Sequence, residues 1–133
     1  MSVRVHIQAG PLGPAPLVRC DGAGALVRFE GIVRPDEDGQ RIQALDYDVY
    51  HEMAERSLRA LCDESLQEFG LMAIEVEHST GVVPIHECSF RLSIASAHRA
   101  EAIRATDWFI GRMKESVPIW KRAVSATLTG KQP

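Results

Sequence analysis

The feature that most constrains the fold of this chain is the order of its strand-like and helix-like segments, read from the spacing of apolar residues. Strand-like alternation is expected at residues 1–9, 25–33, 45–50, 71–78 and 88–95, and helical spacing at 51–69 and 99–115. Three strands therefore precede the first helix, and two more precede the second. Two amphipathic helices can bury their apolar stripes on one face of such a sheet. The sequence thus predicts an α+β fold of two layers, a largely antiparallel sheet with two main helices.

Glycines and short polar runs mark where these elements should bend or stop. Gly31 lies inside the second strand, which indicates a bulge or a close approach of another residue. Gly70 is a typical residue just after a helix end. Residues 34–39 and 79–81 are predicted to form turns, and the acids of the first turn are expected to face solvent. Ser96 is expected to cap the second helix.

The second helix is predicted to bury a stripe of residues spaced three or four apart. The expected members are Ala102, Ile103, Thr106, Phe109, Ile110 and Met113.

Length and charge exclude several classes of protein. A chain of 133 residues fits a single domain over 1–133. Its net charge of -3 argues against a nucleic-acid partner, which requires a basic face. No apolar run is long enough to predict a membrane segment. Three widely spaced cysteines without a CxxC pair predict a reducing compartment and a cytoplasmic location. We expect neither a metal nor another cofactor.

The stretch 114–122 holds two lysines, Lys114 and Lys121, on either side of a proline. Pro118 cannot continue a helix, and it favours an extended backbone at Val117. The second helix should therefore end near Ser116, with Lys114 in its last turn. Apolar side chains after the proline, Trp120 above all, are expected to hold Lys121 and Arg122 against the body of the protein.

A second group of cations, His98 and Arg99, stands at the start of the same helix. Free backbone N–H groups at a helix start favour an anion, so an added cation there suggests a binding role. Lys114 lies 16 residues further on, roughly 24 Å away at about 1.5 Å per residue. One small ligand cannot span that length. A twofold dimer would bring the two ends together, and it would add Arg34 if that residue faces the same pocket.

Simpler explanations exist for each cation taken singly. Lys114 in a last helical turn is favourable for the helix dipole without any ligand. Arg34 and Arg99 would serve equally well as solvated surface charges. The binding hypothesis depends on finding several of these side chains in one place.

Several segments together resemble the large, catalytic subunit of molybdopterin synthase. The similarity covers residues 24–122 and is carried by Phe29 to Arg34, Leu45 to Tyr47, Glu52 to Glu55, Ser96 to Ala102 and Lys114 to Arg122. The resemblance implies an α/β hammerhead type of fold. It also implies sulfurtransferase activity in molybdenum cofactor biosynthesis, converting cyclic pyranopterin monophosphate into molybdopterin.

The resemblance further implies partners and roles. Sulfur would come from a small ubiquitin-like sulfur-carrier subunit that ends in a Gly-Gly thiocarboxylate. Two large subunits would form a homodimer with one small subunit at each end. Lys114 and Lys121 match the catalytic lysines of the family. The residues that match substrate contacts are Arg34, His98, Arg99 and Arg122, with His98 and Arg99 supplied across the dimer.

The chain departs from the family pattern at its end. Ala123 stands where family members usually carry an acid, and residues 123–133 form a short divergent tail. The alternative function is therefore a noncatalytic relative that binds a ubiquitin-like partner or a pterin without converting it.

Overall fold

A computed structural model describes residues 2–125, and this part of the chain contains seven strands and two helices. The elements in chain order are β1 Ser2–Ala9, β2 Ala25–Ile32, β3 Asp36–Glu37, β4 Gln40–Val49, α1 His51–Phe69, β5 Ala73–Pro84, β6 Cys88–Ser96, α2 Arg99–Ser116 and β7 Ile119–Ser125. The prediction of an α+β fold with two main helices is confirmed. Most of the divergent tail, residues 126–133, lies outside the described residues, and the single domain over 1–133 stays a prediction.

The sheet is antiparallel except at one pair of strands. Its main path runs β2-β6-β5-β4-β3, with β1 added to β5 and β7 added to β4. β1 and β5 are parallel, and the other pairs are antiparallel. Helix α1 packs over β1 and β5, and α2 packs over β2 and β6. The strands β3, β4 and β7 therefore extend beyond the part of the sheet that the helices cover.

Strand β5 runs from the part of the sheet under the helices into the extension. The prediction of a turn at residues 79–81 is therefore wrong. Residues up to Thr80 pair with β1, and residues from Gly81 to Pro84 pair with β4. Gly81 has a φ of 78°, a conformation that costs glycine little. The glycine thus marks a change of partner within one strand.

Two apolar clusters correspond to these two parts. The larger lies between the helices and the sheet and includes Leu58, Cys62, Ile74, Leu92, Ile94 and Phe109. The smaller joins Val33, Ile42, Leu45 and Val83 in the extension. No helix among the described residues is long and apolar enough to cross a bilayer.

The helix ends agree with the sequence, whereas part of the buried stripe of α2 does not. Gly70 ends α1 in a left-handed conformation and donates its N–H to Leu66. In α2 the fully buried residues are Ala102, Ala105 and Phe109. Ile103, predicted to be buried, is 54% exposed. Two of the three buried residues are alanines, and Phe109 is the one large side chain that α2 buries completely.

A buried arginine crosslinks three neighbouring strands of the sheet. The Arg91 side chain is 5% exposed, and its Nη1 donates to Glu77 Oε1 at 2.6 Å. Its Nε donates to Glu30 Oε2 at 2.7 Å, and its Nη2 donates to the carbonyl of Gly13 at 2.6 Å. Arg4 binds the other oxygen of Glu77 at 3.1 Å. Burial of these charges is compensated by opposite charge on every side.

Candidate functional site

A cavity of about 370 Å³ opens where the end of α2 meets the strands of the extension. Its polar and charged lining comprises Arg34, Glu37, Tyr47, His78, Ser89, Lys114 and Lys121. Its apolar walls include Phe29, Phe90, Ile110 and Met113. The structure therefore brings three of the predicted site cations into one place, the condition that the binding hypothesis required.

Pro118 separates the two lysines onto different elements. Helix α2 ends at Ser116, and Val117 is extended with ψ 131°, as the sequence predicts. Lys114 lies in the last turn of the helix, whereas Lys121 lies in β7, opposite Tyr47 of β4. Lys114 has no ion-pair partner among residues 2–125.

Backbone pairing, rather than burial of Trp120, holds Lys121 in place. Trp120 is 53% exposed, and it packs edge-on against Tyr50 with ring centres 5.2 Å apart. The ladder between β7 and β4 runs from Ile119 to Ser125 and contains Lys121. Trp120 therefore contributes only part of the contact. The prediction that it is the main anchor of Lys121 is corrected, since the ladder with β4 holds this segment. The sequence did not predict β7.

Arg34 reaches the cavity beside an acid that was expected to be solvated. Asp38 and Gly39 both have positive φ, so they form a tight turn of the hairpin between β3 and β4. The hairpin holds the Glu37 side chain at 15% exposure, with Oε2 2.8 Å from Lys121 Nζ. Arg34 Nη2 lies 3.7 Å from the other oxygen. The prediction of a solvated acid is wrong for Glu37.

His78 also lines the cavity, although no role was predicted for it from the sequence. Its Nδ1 lies 2.7 Å from the carbonyl of Ser79, so this nitrogen carries the proton and donates it. The ring is buried against Tyr47 and Phe90. Burial lowers the pKa of His78, and the bond to Ser79 only partly offsets that effect. A neutral imidazole thus faces the cavity, and its Nε2 is left as an acceptor.

Three other predicted contacts lie away from this cavity. His98 is the residue before α2, and its side chain is 83% exposed near Glu101. Arg99 is exposed in the first residue of the helix. Arg122 lies on the opposite face of β7 from Lys121, and its Nη2 binds Asp46 at 2.8 Å. Within one copy, the cavity contains Arg34, Lys114 and Lys121, and it does not contain these three.

The start of α2 differs from the prediction in one detail. Ser96 does not cap the helix, since its hydroxyl donates to the carbonyl of His98. This bond fixes the turn that leads into α2 and leaves the first N–H groups of the helix without a side-chain cap. His98 and Arg99 are thus presented at an uncapped helix start.

Metal ligands and disulfides are absent from the described part of the chain. No group of three or more His, Cys, Asp or Glu side chains converges there. Cys20, Cys62 and Cys88 are all free thiols. Burial raises the pKa of the Cys62 thiol to about 12, and burial also raises that of Cys88.

Comparison with known proteins gives a consistent answer. A family model described as "MoaE protein" matches residues 7–116. A protein of Thermoplasma volcanium named molybdopterin synthase catalytic subunit is 44% identical over 114 residues, covering 86% of this chain and 83% of that protein. A human protein of the same name is 36% identical over 101 residues, covering 76% of this chain and 54% of that one.

Solved structures agree in fold as well as in sequence. The crystal structure of molybdopterin synthase from Staphylococcus aureus has a TM-score of 0.80 and 30% identity, covering 90% of each chain. The complex of subunits 1 and 2 of molybdopterin-converting factor from Helicobacter pylori has a TM-score of 0.70 and 25% identity. It covers 92% of this chain and 89% of that one. The chain therefore belongs to the MoaE family, the catalytic subunits of molybdopterin synthase.

Proposed function

We propose that the cavity is the active site of a molybdopterin synthase, of which this chain is the catalytic subunit. Cyclic pyranopterin monophosphate would bind there and receive two sulfurs from the thiocarboxylate of a small partner subunit. One observation carries the proposal: Arg34, which is distant in sequence from the two lysines, lines a single cavity together with Lys114 and Lys121. The relatives in this family are named for the same activity.

The lining suits the two halves of this substrate. Cationic side chains bind a cyclic phosphate and stabilise the negative charge that develops as its ring opens. Phe29, Phe90 and Tyr47 supply flat walls against which a fused pterin ring can pack. A volume of about 370 Å³ falls in the range of small-molecule sites.

The two lysines differ in their surroundings, so we assign them different tasks. Lys114 lines the cavity from the exposed last turn of α2 and has no ion-pair partner among residues 2–125. Its amine is placed to attack the acyl carbon of the partner's C-terminus while that carbon is still bonded to sulfur. The bond to Nζ then forms as the carbon–sulfur bond breaks, the sulfur stays on the substrate as a thiolate, and Nζ loses a proton. Lys121 forms an ion pair with Glu37, and we assign it to binding of the anionic end of the substrate.

The partner is the small subunit of the same enzyme, and the Helicobacter pylori structure is itself a complex of the two subunits. We propose that a Gly-Gly tail enters the cavity from the exposed side of Lys114. His98 and Arg99 would come from a second copy of the chain in a homodimer. Their exposed position at the far end of α2 supports a contribution in trans.

Two assignments rest on the sequence alone. Arg122 as a substrate contact stays a prediction, because its ion pair with Asp46 directs it to the other face of β7. A cytoplasmic location is also a proposal, supported by three free thiols.

Replacement of Lys114 tests the catalytic assignment. We expect Lys114→Ala to abolish formation of the dithiolene product from thiocarboxylated small subunit and cyclic pyranopterin monophosphate. Stability should change by less than about 1 kcal/mol, since an exposed lysine at a helix end contributes little more than its interaction with the dipole. Glu115→Ala is the matched control, because Glu115 is the exposed neighbour outside the cavity lining.

Two outcomes would contradict different parts of the proposal. Full turnover by Lys114→Ala would contradict the role of Lys114. If the unaltered chain forms no product while a related catalytic subunit does under the same conditions, the noncatalytic alternative is correct. That alternative is a relative that binds the ubiquitin-like partner or a pterin without converting it.

A further inference from the structure

Glu37 is a carboxylate among the cations that are proposed to bind substrate. Of the described residues that line the cavity, it is the only acid. The neighbouring acid of the same short strand, Asp36, has a side chain 62% exposed and lies 3.6 Å from Arg41. Alternation along β3 therefore sends one acid into the cavity and the other to solvent.

Both oxygens of Glu37 are engaged by the predicted site cations. Oε2 lies 2.8 Å from Lys121 Nζ, and Oε1 lies 3.7 Å from Arg34 Nη2. The hydrogen bond from Lys121, assisted by the charges of Lys121 and Arg34, lowers the pKa of Glu37. Glu37 is thus ionised at neutral pH, and two of the three cavity cations already have an anionic partner within the chain.

Lys121 meets no second carboxylate inside the cavity. The other charged or titratable groups there are Arg34, Tyr47, His78 and Lys114. Asp46, Asp48 and Arg122 line a second, adjoining pocket, which shares Lys121 with the cavity. Asp46 is already bound by Arg122 at 2.8 Å.

We infer that Glu37 is an internal competitor for the anion site, a carboxylate that a bound anion must displace from Lys121 and Arg34. The inference rests on the proposed function in one respect, that the cavity takes an anionic ligand. A ligand phosphate needs the same donors that Glu37 now occupies. Binding therefore exchanges one anion for another. The free energy needed to break the ion pairs of Glu37 lowers the affinity of the cavity for any anionic ligand.

Titration with inorganic phosphate tests this role without any turnover. Glu37→Gln keeps the shape of the side chain and removes its charge. We expect the full chain with Glu37→Gln to bind phosphate about tenfold more tightly than the unaltered chain, a difference of about 1.4 kcal/mol. The measurement is isothermal calorimetry at fixed ionic strength, because anion binding is screened by salt. Asp36→Asn, which removes the outward acid of the same strand, should leave the affinity unchanged.

A second background ties the effect to Lys121. In Lys121→Ala, the added change Glu37→Gln should no longer tighten phosphate binding by a comparable factor, because the shared donor is gone. Unchanged or weaker binding in Glu37→Gln would overturn the inference, and so would an equal gain in Asp36→Asn. Phosphate affinity is measured with neither sulfur donor nor pterin. A chain that fails the dithiolene assay can therefore still pass this test, and an active chain can fail it.

Discussion

Replacing Arg91 should reveal how much the crosslink between the strands contributes to stability. Arg91→Met keeps the length of the side chain and removes bonds to Glu77, Glu30 and the carbonyl of Gly13. Glu30 is 40% exposed and can turn to water, whereas Glu77 is 7% exposed and keeps only Arg4. Removing one partner of a buried pair costs about 3–5 kcal/mol.

That cost is large relative to the total stability of a domain, which is about 5–15 kcal/mol. Most of it should come from the charge left on Glu77, so neutralising that charge should restore stability. We expect Glu77→Gln, added to Arg91→Met, to recover about 1–2 kcal/mol. Arg4→Met is the control. Its ion pair with Glu77 involves an arginine that is 44% exposed, so its loss should cost less than about 1 kcal/mol.

Urea unfolding measures these differences, with tryptophan fluorescence and circular dichroism as two probes. Protomer concentration is held constant, because dimer formation would add to the apparent stability. The reasoning is refuted if Arg91→Met costs less than about 1 kcal/mol. It is refuted equally if the double variant loses the sum of the two single losses.

Two further predictions concern titratable groups. The lowered pKa of buried His78 means that the unfolded chain binds this proton more readily. Stability should therefore fall as pH drops below about 6.5, and the fall should be smaller in His78→Gln when unfolding is followed from pH 7 to pH 5.5. Buried Cys62 and Cys88, whose thiol pKa values are raised, should react slowly with a disulfide reagent at pH 8, whereas half-buried Cys20 should react first. Rapid labelling of Cys62 in the folded protein would contradict the packing.

Local signals in the sequence were sufficient where the chain itself imposes the conformation. Pro118 and Gly70 end helices for steric reasons that need no neighbours, and both ends were predicted. Gly31 was expected to mark a bulge or a close approach. The strand register shifts after it, and a Cβ there would lie 3.3 Å from Phe90 Cβ. In each case one residue type carries the information.

Features that depend on distant pairing were missed. Strand β7 has two charged residues among its seven and is mostly exposed, so its sequence lacks a clear strand periodicity. Its hydrogen bonds are made with the distant strand β4. Gly81 resembled a turn residue because nothing local shows that β5 continues to a new partner. Ile103 fitted the predicted helical stripe, but Ala105 is buried instead, because the position of the sheet determines which face of the helix is covered.

The site was predicted in part for the same reason. The lysines were singled out as candidate anion-binding residues, and Arg34 was added on the condition that it faces the same pocket. All three line one cavity. Glu37 was assigned to solvent because a run of acids before a glycine is typical of an exposed turn. Only the hairpin between β3 and β4 determines which acid of that run points inward. His78 carried no signal, since a histidine inside an apolar strand usually reports packing.

Placing the two lysines on different elements has a mechanical consequence. Lys114 belongs to the helix that packs over β2 and β6, and Lys121 belongs to β7, which pairs with β4 in the extension of the sheet. A ligand that contacts both lysines links these two parts of the protein noncovalently. Because the ligand binds only when the two lysines are correctly spaced, its binding free energy stabilises the native arrangement of the two parts.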